Sequence, residues 1–348
     1  MTATLTSPPP TADPEAAKSS RGLVDKVFRA RELTLLVALV ALVVGTQLSN
    51  SRFLSEQGVK DLFLNASILV LLAVGQSVVV VTRNIDLSVG SVVGLSAFAC
   101  GKFASGSGHS AATVVLVGIL VGVACGVVNG LLVSLGRVPS LVVTLGTLYI
   151  IQGIDYYWAQ GEQINAETLP GGVLDLGTGS VLGIPYLPLV AAVVLVLTGW
   201  YLRSYRTGRE LYAIGSNPEA ARLAGVPSGQ RVFAAYVFSG AIAGLAGALW
   251  LSRFGTVVAD AANGWELQVV SAVVVGGVAI TGGIGTVWGA ALGALLLTTI
   301  GSALVVLKVD SFWQKAINGA LLLAAISIDR IVQVRVTRAL RRRNARHG

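Results

Sequence analysis

A chain of 348 residues with 54% hydrophobic residues, 12% charged residues and a mean hydropathy of +0.76 is too apolar for a soluble globular domain. The formal net charge of +8 does not indicate nucleic-acid binding, because the basic residues concentrate in 18–31, 203–231 and 330–346, beside long apolar runs. Apolar runs near the ~20 residues needed to cross the membrane predict an all-α, polytopic helical bundle. Cys100 and Cys125 lie inside such runs and predict neither a disulfide framework nor a metal site.

Residues 1–32 are polar and basic, with Pro, Thr, Ser and Ala at the start, and we expect a disordered cytoplasmic N-terminal segment. The runs beyond it predict about ten transmembrane helices in a single domain over 33–329, followed by a basic cytoplasmic tail over 330–348. Two of the spans are expected within the tract 267–307. The others are expected at 33–47, 62–82, 91–104, 111–135, 141–158, 186–202, 232–251 and 312–328.

Glycines in the apolar sequence predict two kinds of feature, a turn of the chain and close packing of helices. The tract 267–307 is too long for one span, and we expect Gly282, Gly283 and Gly285 to turn the chain near its middle. Other glycines recur every four positions, a spacing that lets helix backbones approach closely in lipid. These series are Gly118, Gly122 and Gly126, and Gly285, Gly289 and Gly293.

The distribution of Lys and Arg predicts the orientation of the spans. The N-terminal segment, the loop at 203–231 and the tail are basic and are expected in the cytoplasm, so both termini are predicted to be cytoplasmic. The segment 159–185 has no Lys or Arg but contains acidic residues, and we expect it outside. The six Trp residues fall at or near span ends, where the amphipathic ring prefers the interface. These features indicate a multi-pass membrane protein.

The loop at 203–231 contains the longest polar interruption in the second half of the chain. Asn217 is a good helix N-cap, Pro218 suits the first helical position, and Glu219 favours the positive end of the helix dipole. Gly225 can end the helix in a left-handed conformation. We expect a capped helix of about two turns, marginal in isolation, that lies on the membrane face and is presented to a soluble partner. An ordinary amphipathic loop is the alternative.

Polar residues within apolar sequence are candidates for a translocation pathway, because they are costly inside a membrane. The break at 84–91 either caps the third helix through Asn84, Asp86, Ser88, Gly90 and Ser91, with Arg83 as the ionic partner of Asp86, or lines a cavity. Buried amides either bridge helices or hydrogen-bond a hydroxylated solute. The candidate pathway residues are Asn65, Gln76, Asn84, Asp86, Ser88 and Asn129.

Other polar and aromatic residues lie near the outer ends of the spans. We expect Asp155 and Glu266 on a solvated rim. Tyr156, Tyr157 and Trp158 can stack on a sugar, but an interfacial belt is the favoured interpretation.

The sequence carries no constellation for catalysis. It has no GxxxxGK[ST] motif for ATP, and no convincing Ser/His/Asp or Cys/His set. We therefore expect no catalytic residue, no metal site and no cofactor bound by this chain, which is not predicted to be an enzyme.

Four stretches, in this order, resemble permease subunits of bacterial ABC importers for monosaccharides, the ribose, xylose, rhamnose and autoinducer-2 group. They are NIDLSVGS (84–91), VPSLVVTLGTLYIIQGI (138–154), GRELYAIGSNPEAARLAGV (208–226) and VVGGVAITGGIGTVWGA (274–290). The lead-in TRNIDLSVGS and the ending LVVLKVDSFWQKAING are most similar to rhamnose and autoinducer-2 permeases.

This resemblance implies a location in the bacterial inner membrane, the ten-helix fold of large-substrate importers and a second permease chain, identical or related. It also implies two cytoplasmic ATPase subunits that use ATP and Mg²⁺, an external sugar-binding protein and surrounding membrane lipid. The residues implied to couple to the ATPase are Asn217, Pro218, Glu219, Ala220, Ala221, Arg222, Leu223, Ala224 and Gly225.

The implied function is ATP-driven import of a monosaccharide, rhamnose-like or another pentose or hexose, or of autoinducer-2. An ion-coupled secondary transporter or channel for a small polar solute is the alternative; it usually needs intramembrane charges, for which only Asp86 is a plausible candidate.

Overall fold

The computed structural model describes residues 14–106 and 108–310, together with residues 313, 316, 317, 319, 320, 323 and 327; within 14–31 it describes the backbone alone. The described chain is almost entirely helical. Its α-helices are α1 (Pro14–Ser49), α2 (Glu56–Val81), α3 (Val89–Ala104), α4 (Ala111–Ser134), α5 (Ser140–Ala159), α6 (Gly171–Thr178), α7 (Tyr186–Ser204), α8 (Arg206–Ser216), α9 (Pro218–Leu223), α10 (Ser228–Phe254), α11 (Trp265–Val275) and α12 (Val287–Val306).

The remaining regular structure is small and lies between α5 and α7. A 3₁₀ turn occupies Ala166–Thr168, and strands β1 (Ser180–Val181) and β2 (Ile184–Pro185) form an antiparallel hairpin. A separate bridge joins Ile164 to Val257, so this segment is tied to the connection between α10 and α11.

Nine of the ten expected spans coincide with a helix of the structure, and the all-α class is confirmed. Within the described residues, six helices are long and apolar enough to cross a membrane: the Glu32–Ser49 part of α1, and α2, α4, α7, α10 and α12. The helices α3 and α11 are apolar but only 16 and 11 residues long. The tenth expected span, 312–328, and the basic tail lie largely or wholly outside the described residues, so the count of ten stays a prediction.

The expectation of a disordered segment through residue 32 is wrong from Pro14 onward, where α1 begins. Pro14 suits the first helical position, and the helix formers Glu15, Ala16 and Ala17 follow it. The helix then continues without a break into the first apolar run. Residues 1–13 lie outside the described part of the chain.

The core is built around α2, α3 and α10. The apolar window of α2 is 94% buried, whereas that of α1 is 6% buried, so α2 runs through the centre and α1 along the outside against α12. The helix α10 packs against α4, α3 and α2. The central helices therefore face protein on nearly every side, while α1, α4 and α7 offer broad apolar faces to lipid.

Glycines set the contact between α4 and α10. A Cβ added to Gly122 would overlap the Gly240 carbonyl oxygen, and one added to Gly244 would overlap that of Gly118. This confirms the close packing expected from the first glycine series. In the second series, Gly289 and Gly293 pack in the same way against α11, but Gly285 lies before α12 in the loop.

Two interruptions of the helices meet at one end of the bundle. The first is 82–88, between α2 and α3, and the second is 276–286, between α11 and α12. The expected turn is confirmed, because Gly282, Gly283 and Gly285 have φ values of +79°, +74° and +130°. The amide of Gly283 donates to the carbonyl oxygen of Val81 at 2.8 Å, which joins the two interruptions.

Gly122→Ala tests the close packing of α4 on α10. The added methyl group has no room between two helix backbones, so we expect a loss of about 1–3 kcal/mol in the free energy of unfolding. Gly146→Ala is the matched control, because nothing lies within 4 Å of that position. Thermal unfolding of the purified protein in detergent measures both variants. An equal unfolding midpoint for the two would contradict the packing described here.

Candidate functional site

The short helix α9 is capped at both ends as the sequence predicts. The Asn217 side chain accepts a hydrogen bond from the Ala220 amide at 3.1 Å, and Pro218 occupies the first turn. At the other end Gly225 has φ +77°, its amide donates to Arg222 O, and the amide of Val226 donates to Ala221 O. These two hydrogen bonds together form a Schellman motif. It fixes a six-residue helix that would not persist alone in water.

The surface of α9 is open. Ala221 is buried, but the flanking residues 216–220 and 222–225 are exposed, and Leu223 is 82% exposed. The ion pair between Glu219 and Arg222, at 3.4 Å, lies on this open surface. A rigid, exposed helix with an apolar residue at its tip is suited to contact with another protein.

The preceding helix α8 holds α9 against the bundle. Its buried face includes Leu211, Ile214 and Gly215. A Cβ at Gly215 would overlap the carbonyl oxygen of Val81, and the Tyr212 hydroxyl donates to Gly285 O at 3.0 Å. The helix thus touches both interruptions, 82–88 and 276–286.

A buried glutamate anchors α8 to α10. Glu210 accepts from Arg231 Nε at 2.6 Å and from Arg206 Nε at 2.9 Å. The hydrogen bond from Arg231 and the charges of both guanidinium groups hold the pKa of Glu210 below its usual value. This cluster was not a candidate from the sequence; the spacing of four between Arg206 and Glu210 was its only signal.

Asp86 is the centre of a buried polar network. Its Oδ1 accepts from the Ser88 amide at 3.0 Å and from the Ser88 hydroxyl at 2.6 Å, and its Oδ2 accepts from the Ser239 hydroxyl at 3.3 Å. Asn129 donates to Ser88 Oγ at 2.8 Å, and the Thr147 hydroxyl donates to Asn129 Oδ1 at 2.7 Å. The network therefore joins 82–88 to α4, α5 and α10.

Gln76 of α2 closes the network on its other side. The side-chain amide of Gln76 is oriented so that its nitrogen donates to the backbone oxygen of Asp86 at 3.1 Å. Its oxygen accepts from the backbone nitrogen of Asp86 at 3.2 Å. The Ile85 carbonyl accepts from the Thr144 and Tyr236 hydroxyls, each at 3.2 Å. Irregular backbone at this depth needs such partners, because lipid offers none.

The expected pairing of Arg83 with Asp86 is not found. Arg83 has φ +68° and turns away, donating from Nε to Thr281 O at 2.7 Å. Of the residues expected to cap α3, Ser88 is the N-cap, and Asp86 instead closes a turn on the Ser88 amide two residues on. Three neutral donors therefore replace the cation in solvating this carboxylate.

Four of the six candidate pathway residues come together, namely Gln76, Asp86, Ser88 and Asn129. Asn84 is half-buried and bonds back to Thr82, and Asn65 lies on α2 about 16 Å along the helix from Gln76. Sequence reasoning missed Ser239 and Thr147, which are isolated hydroxyls in apolar spans and carry no distinguishing pattern.

The expected solvated rim is wrong for Asp155, which is 2% exposed. Glu266 is half-buried, and its Oε2, like Asp155 Oδ1, is buried without a hydrogen-bond partner among the described residues. The bundle folds these acids inward because Gly90 and Gly94 of α3 leave room for them. Tyr156, Tyr157 and Trp158 are exposed on α5.

A family described as "Branched-chain amino acid transport system / permease component" matches residues 58–326. The chain belongs to this family. The permease is therefore a transport subunit and a multi-pass protein of the inner membrane, as the sequence predicts.

Relatives of the permease include the autoinducer 2 import system permease protein LsrC of Salmonella paratyphi B, which is 38% identical over 312 residues, 90% of this chain and 89% of the relative. The protein of the same name from Escherichia coli (strain K12 / DH10B) is 35% identical over 312 residues, 90% of each chain. No solved structure matches the permease significantly.

The permease has a cavity of about 350 Å³ between α2, α7, α8 and α10. Its walls are mainly apolar, with Arg231 and Tyr201 at the polar part. None of the six candidate pathway residues lines it, so this cavity is separate from the Asp86 network.

Glu210→Gln tests the anchoring of α8. The pKa of Glu210 is lower in the folded state than the usual glutamate pKa of 4.5. Its ion pairs therefore stabilise the fold at pH values above 4.5, and this stabilisation is lost as the pH falls through the lower pKa of the folded state. We expect the variant to unfold at a lower temperature than the wild type at pH 7, with the difference closing below pH 4.5. Glu219→Gln is the control, since its exposed pair contributes little at any pH. Equal midpoints for Glu210→Gln and the wild type at pH 7 would argue against the anchor.

Proposed function

We propose that this permease is the membrane-spanning subunit of an ATP-driven importer that moves autoinducer-2, or a related monosaccharide such as rhamnose, into the cytoplasm. The observation that carries the proposal is α9: a doubly capped, exposed helix fixed through α8 to both interruptions of the bundle. Its location between long apolar helices suits a subunit that receives force from a separate protein.

The proposed orientation puts α8, α9 and both termini in the cytoplasm, and the 159–185 segment outside. Support comes from the basic loop at 203–231 and the acidic, Lys- and Arg-free outer segment. We propose ten transmembrane helices, with the tenth over 312–328, in the arrangement of large-substrate importers.

The proposed partners are two cytoplasmic ATPase subunits, an external sugar-binding protein and a second permease chain, either identical or related. ATP and Mg²⁺ would be bound by the ATPase partner, and this chain would bind no cofactor. The coupling surface on this chain is the exposed helix with its two caps: Asn217, Pro218, Glu219, Ala220, Ala221, Arg222, Leu223, Ala224 and Gly225.

A short route connects this surface to the membrane interior. Ser216, at the end of α8, packs against Gly283, whose amide bonds to Val81 O. Val81 ends the helix that carries Gln76, and Gln76 holds the backbone of Asp86. A displacement of α9 would therefore reach α2 through directly packed backbone, and the Gln76 side chain would pass it to Asp86.

We propose that the polar residues of this network line the path of the solute once the bundle opens. In the present conformation their hydrogen bonds are satisfied by one another, so the path is closed at this level. Separation of the helices would release amide and hydroxyl groups that can bond to a hydroxylated solute. The proposed lining is Asn65, Gln76, Asn84, Asp86, Ser88 and Asn129.

The substrate class rests on the relatives. Relatives that are up to 38% identical over 90% of this chain carry autoinducer 2 import in their names. The description of the family as a whole refers instead to the transport of branched-chain amino acids. The full-length relatives are the more specific guide. The buried polar groups of the chain suit a neutral hydroxylated solute better than an aliphatic one.

Reconstitution tests the function. The permease would be placed in lipid vesicles with its ATPase and binding protein, and uptake of labelled autoinducer-2 and rhamnose measured with and without ATP. Uptake that requires ATP and both partners is expected. Uptake by the permease alone, driven by an ion gradient, would favour a secondary transporter.

Glu219→Lys and Gly225→Pro test the coupling surface. The first reverses a charge on the exposed face, and the second removes the left-handed cap, because proline cannot adopt a positive φ. We expect each to lower ATP-driven uptake at least tenfold and to weaken co-purification of the ATPase, with membrane insertion unchanged. Glu167→Lys, the same charge change on an exposed residue at the other end of the bundle, is the control. Loss of insertion in both coupling variants would show that the segment is only structural.

Asp86→Asn tests the network. The carboxylate accepts through both oxygens, and an amide can keep only one of these acceptors. If the network lines the path, uptake should fall at least tenfold at normal expression, with Asp175→Asn on the exposed face of α6 as control. Unchanged uptake would limit Asp86 to a local structural role.

A further inference from the structure

Four polar side chains lie near the first turns of α3, on the side of the Asp86 network away from α8 and α9. Gln152 and Asp155 lie one turn apart on α5, Asn263 lies in the connection before α11, and Glu266 lies in the first turn of α11. Gln152 Nε2 approaches Asn263 Oδ1 to 3.5 Å, which brings the two elements together. We call these four residues the outer polar cluster.

Two glycines of α3 form the floor of the cluster. A Cβ at Gly90 would overlap Glu266 Oε2, and a Cβ at Gly94 would lie 3.4 Å from Asp155 Oδ2. The two positions share one face of α3 and are separated by roughly 6 Å along its axis. Both carboxyl groups therefore face the bare backbone of the same helix, one turn apart.

Each of these two acids has one buried carboxyl oxygen without a partner in the part of the chain that the structure describes. Asp155 is 2% exposed, and its Oδ1 has no hydrogen-bond partner among the described residues; the same holds for Glu266 Oε2. Asp86, by contrast, has three donors. A buried polar atom without a partner is costly, so its retention needs a reason beyond the fold of this conformation.

Accessibility across the cluster is graded. Asn263 is exposed, Gln152 and Glu266 are half-buried, and Asp155 is buried. The residues thus lead from the surface toward α3 and, along α3, toward Ser88 and the Asp86 network. A metal ion is not favoured here, because the described residues include no group of three or more His, Cys, Asp and Glu side chains that could hold one.

We propose that the outer polar cluster is the entry site for the transported solute, a small neutral molecule with adjacent hydroxyl groups. Asp155 and Glu266 accept hydrogen bonds from two hydroxyls of the solute, and the amides of Gln152 and Asn263 donate to and accept from others. The spacing of roughly 6 Å along α3 matches a single small sugar ring. This site rests on the importer function and identifies where on this chain the solute is first recognised.

Kinetics of the full complex in vesicles test the site. We expect Asp155→Asn and Glu266→Gln each to raise the KM for uptake of autoinducer-2 at least tenfold, because an amide oxygen is a weaker acceptor and its nitrogen opposes a hydroxyl donor. Glu162→Gln is the control: it removes an exposed carboxylate beside the last turn of α3, paired with Lys102, and should leave KM within twofold. Values of KM within twofold of wild type for both cluster variants would overturn the proposal.

A second measurement avoids replacing the buried acids. Gln152→Cys, in a chain with Cys100→Ala and Cys125→Ala, puts a thiol at the half-buried edge of the cluster. Saturating autoinducer-2 should slow labelling by a small impermeant thiol reagent at least fivefold. Labelling at the same rate with and without the solute would count against the site even if the acid variants failed to assemble.

The two proposals fail in different ways. If wild-type uptake proceeds without ATP or the partners, the importer function is wrong. If wild-type uptake behaves as an ATP-driven importer but the cluster variants and the protection assay show no effect, only the entry site is wrong. Rhamnose is run in parallel, and the KM comparison and the protection assay use whichever of the two solutes the wild-type complex takes up.

Discussion

The hydrogen bond from the Gly283 amide to the Val81 carbonyl is the contact on which the working parts of this permease depend. It joins the two places where the helices are interrupted, and α8 lies against the same point because Gly215 has no side chain there. Three backbones meet here at distances that no Cβ would permit. A rigid junction of this kind can transmit the movement of a small exposed helix to the membrane interior, because the movement is not absorbed by rearranging side chains at the junction.

The two buried acids illustrate opposite uses of a carboxylate inside a membrane protein. Asp86 is solvated by its own surroundings, with three donors on the side chain and Gln76 on its backbone, so it fixes how α2, α4, α5 and α10 sit around the first interruption. Asp155 is held next to Gly94 with one oxygen that has no hydrogen-bond partner in the described part of the chain. A satisfied group specifies one packing, and an unsatisfied one remains available to a ligand.

Local features were predictable where a few neighbouring residues decide them. The caps of α9, the turn at 282–285 and the glycine contacts of α4 follow from backbone conformation and residue size, and all are found. The helix over residues 14–32 was not predicted, because the composition of this segment is typical of a disordered chain although its residues favour a helix. The pairing of Arg83 with Asp86 failed because a left-handed residue turns the arginine to Thr281, a partner 198 positions away.

The sequence by itself determined that this chain is a helical membrane protein, where nine of its spans lie, and that a capped helix interrupts them, because hydropathy and capping are properties of short segments. The order of four stretches added the resemblance to a permease family. Only the tertiary structure decided which polar residues meet. The residues of the Asp86 network come from five separate segments, and their hydrogen bonds depend on how helices pack across the bundle. They are Gln76, Asp86, Ser88, Asn129, Thr147 and Ser239. The burial of Asp155 has the same origin, since it depends on a glycine of α3 that is 61 residues away in the chain.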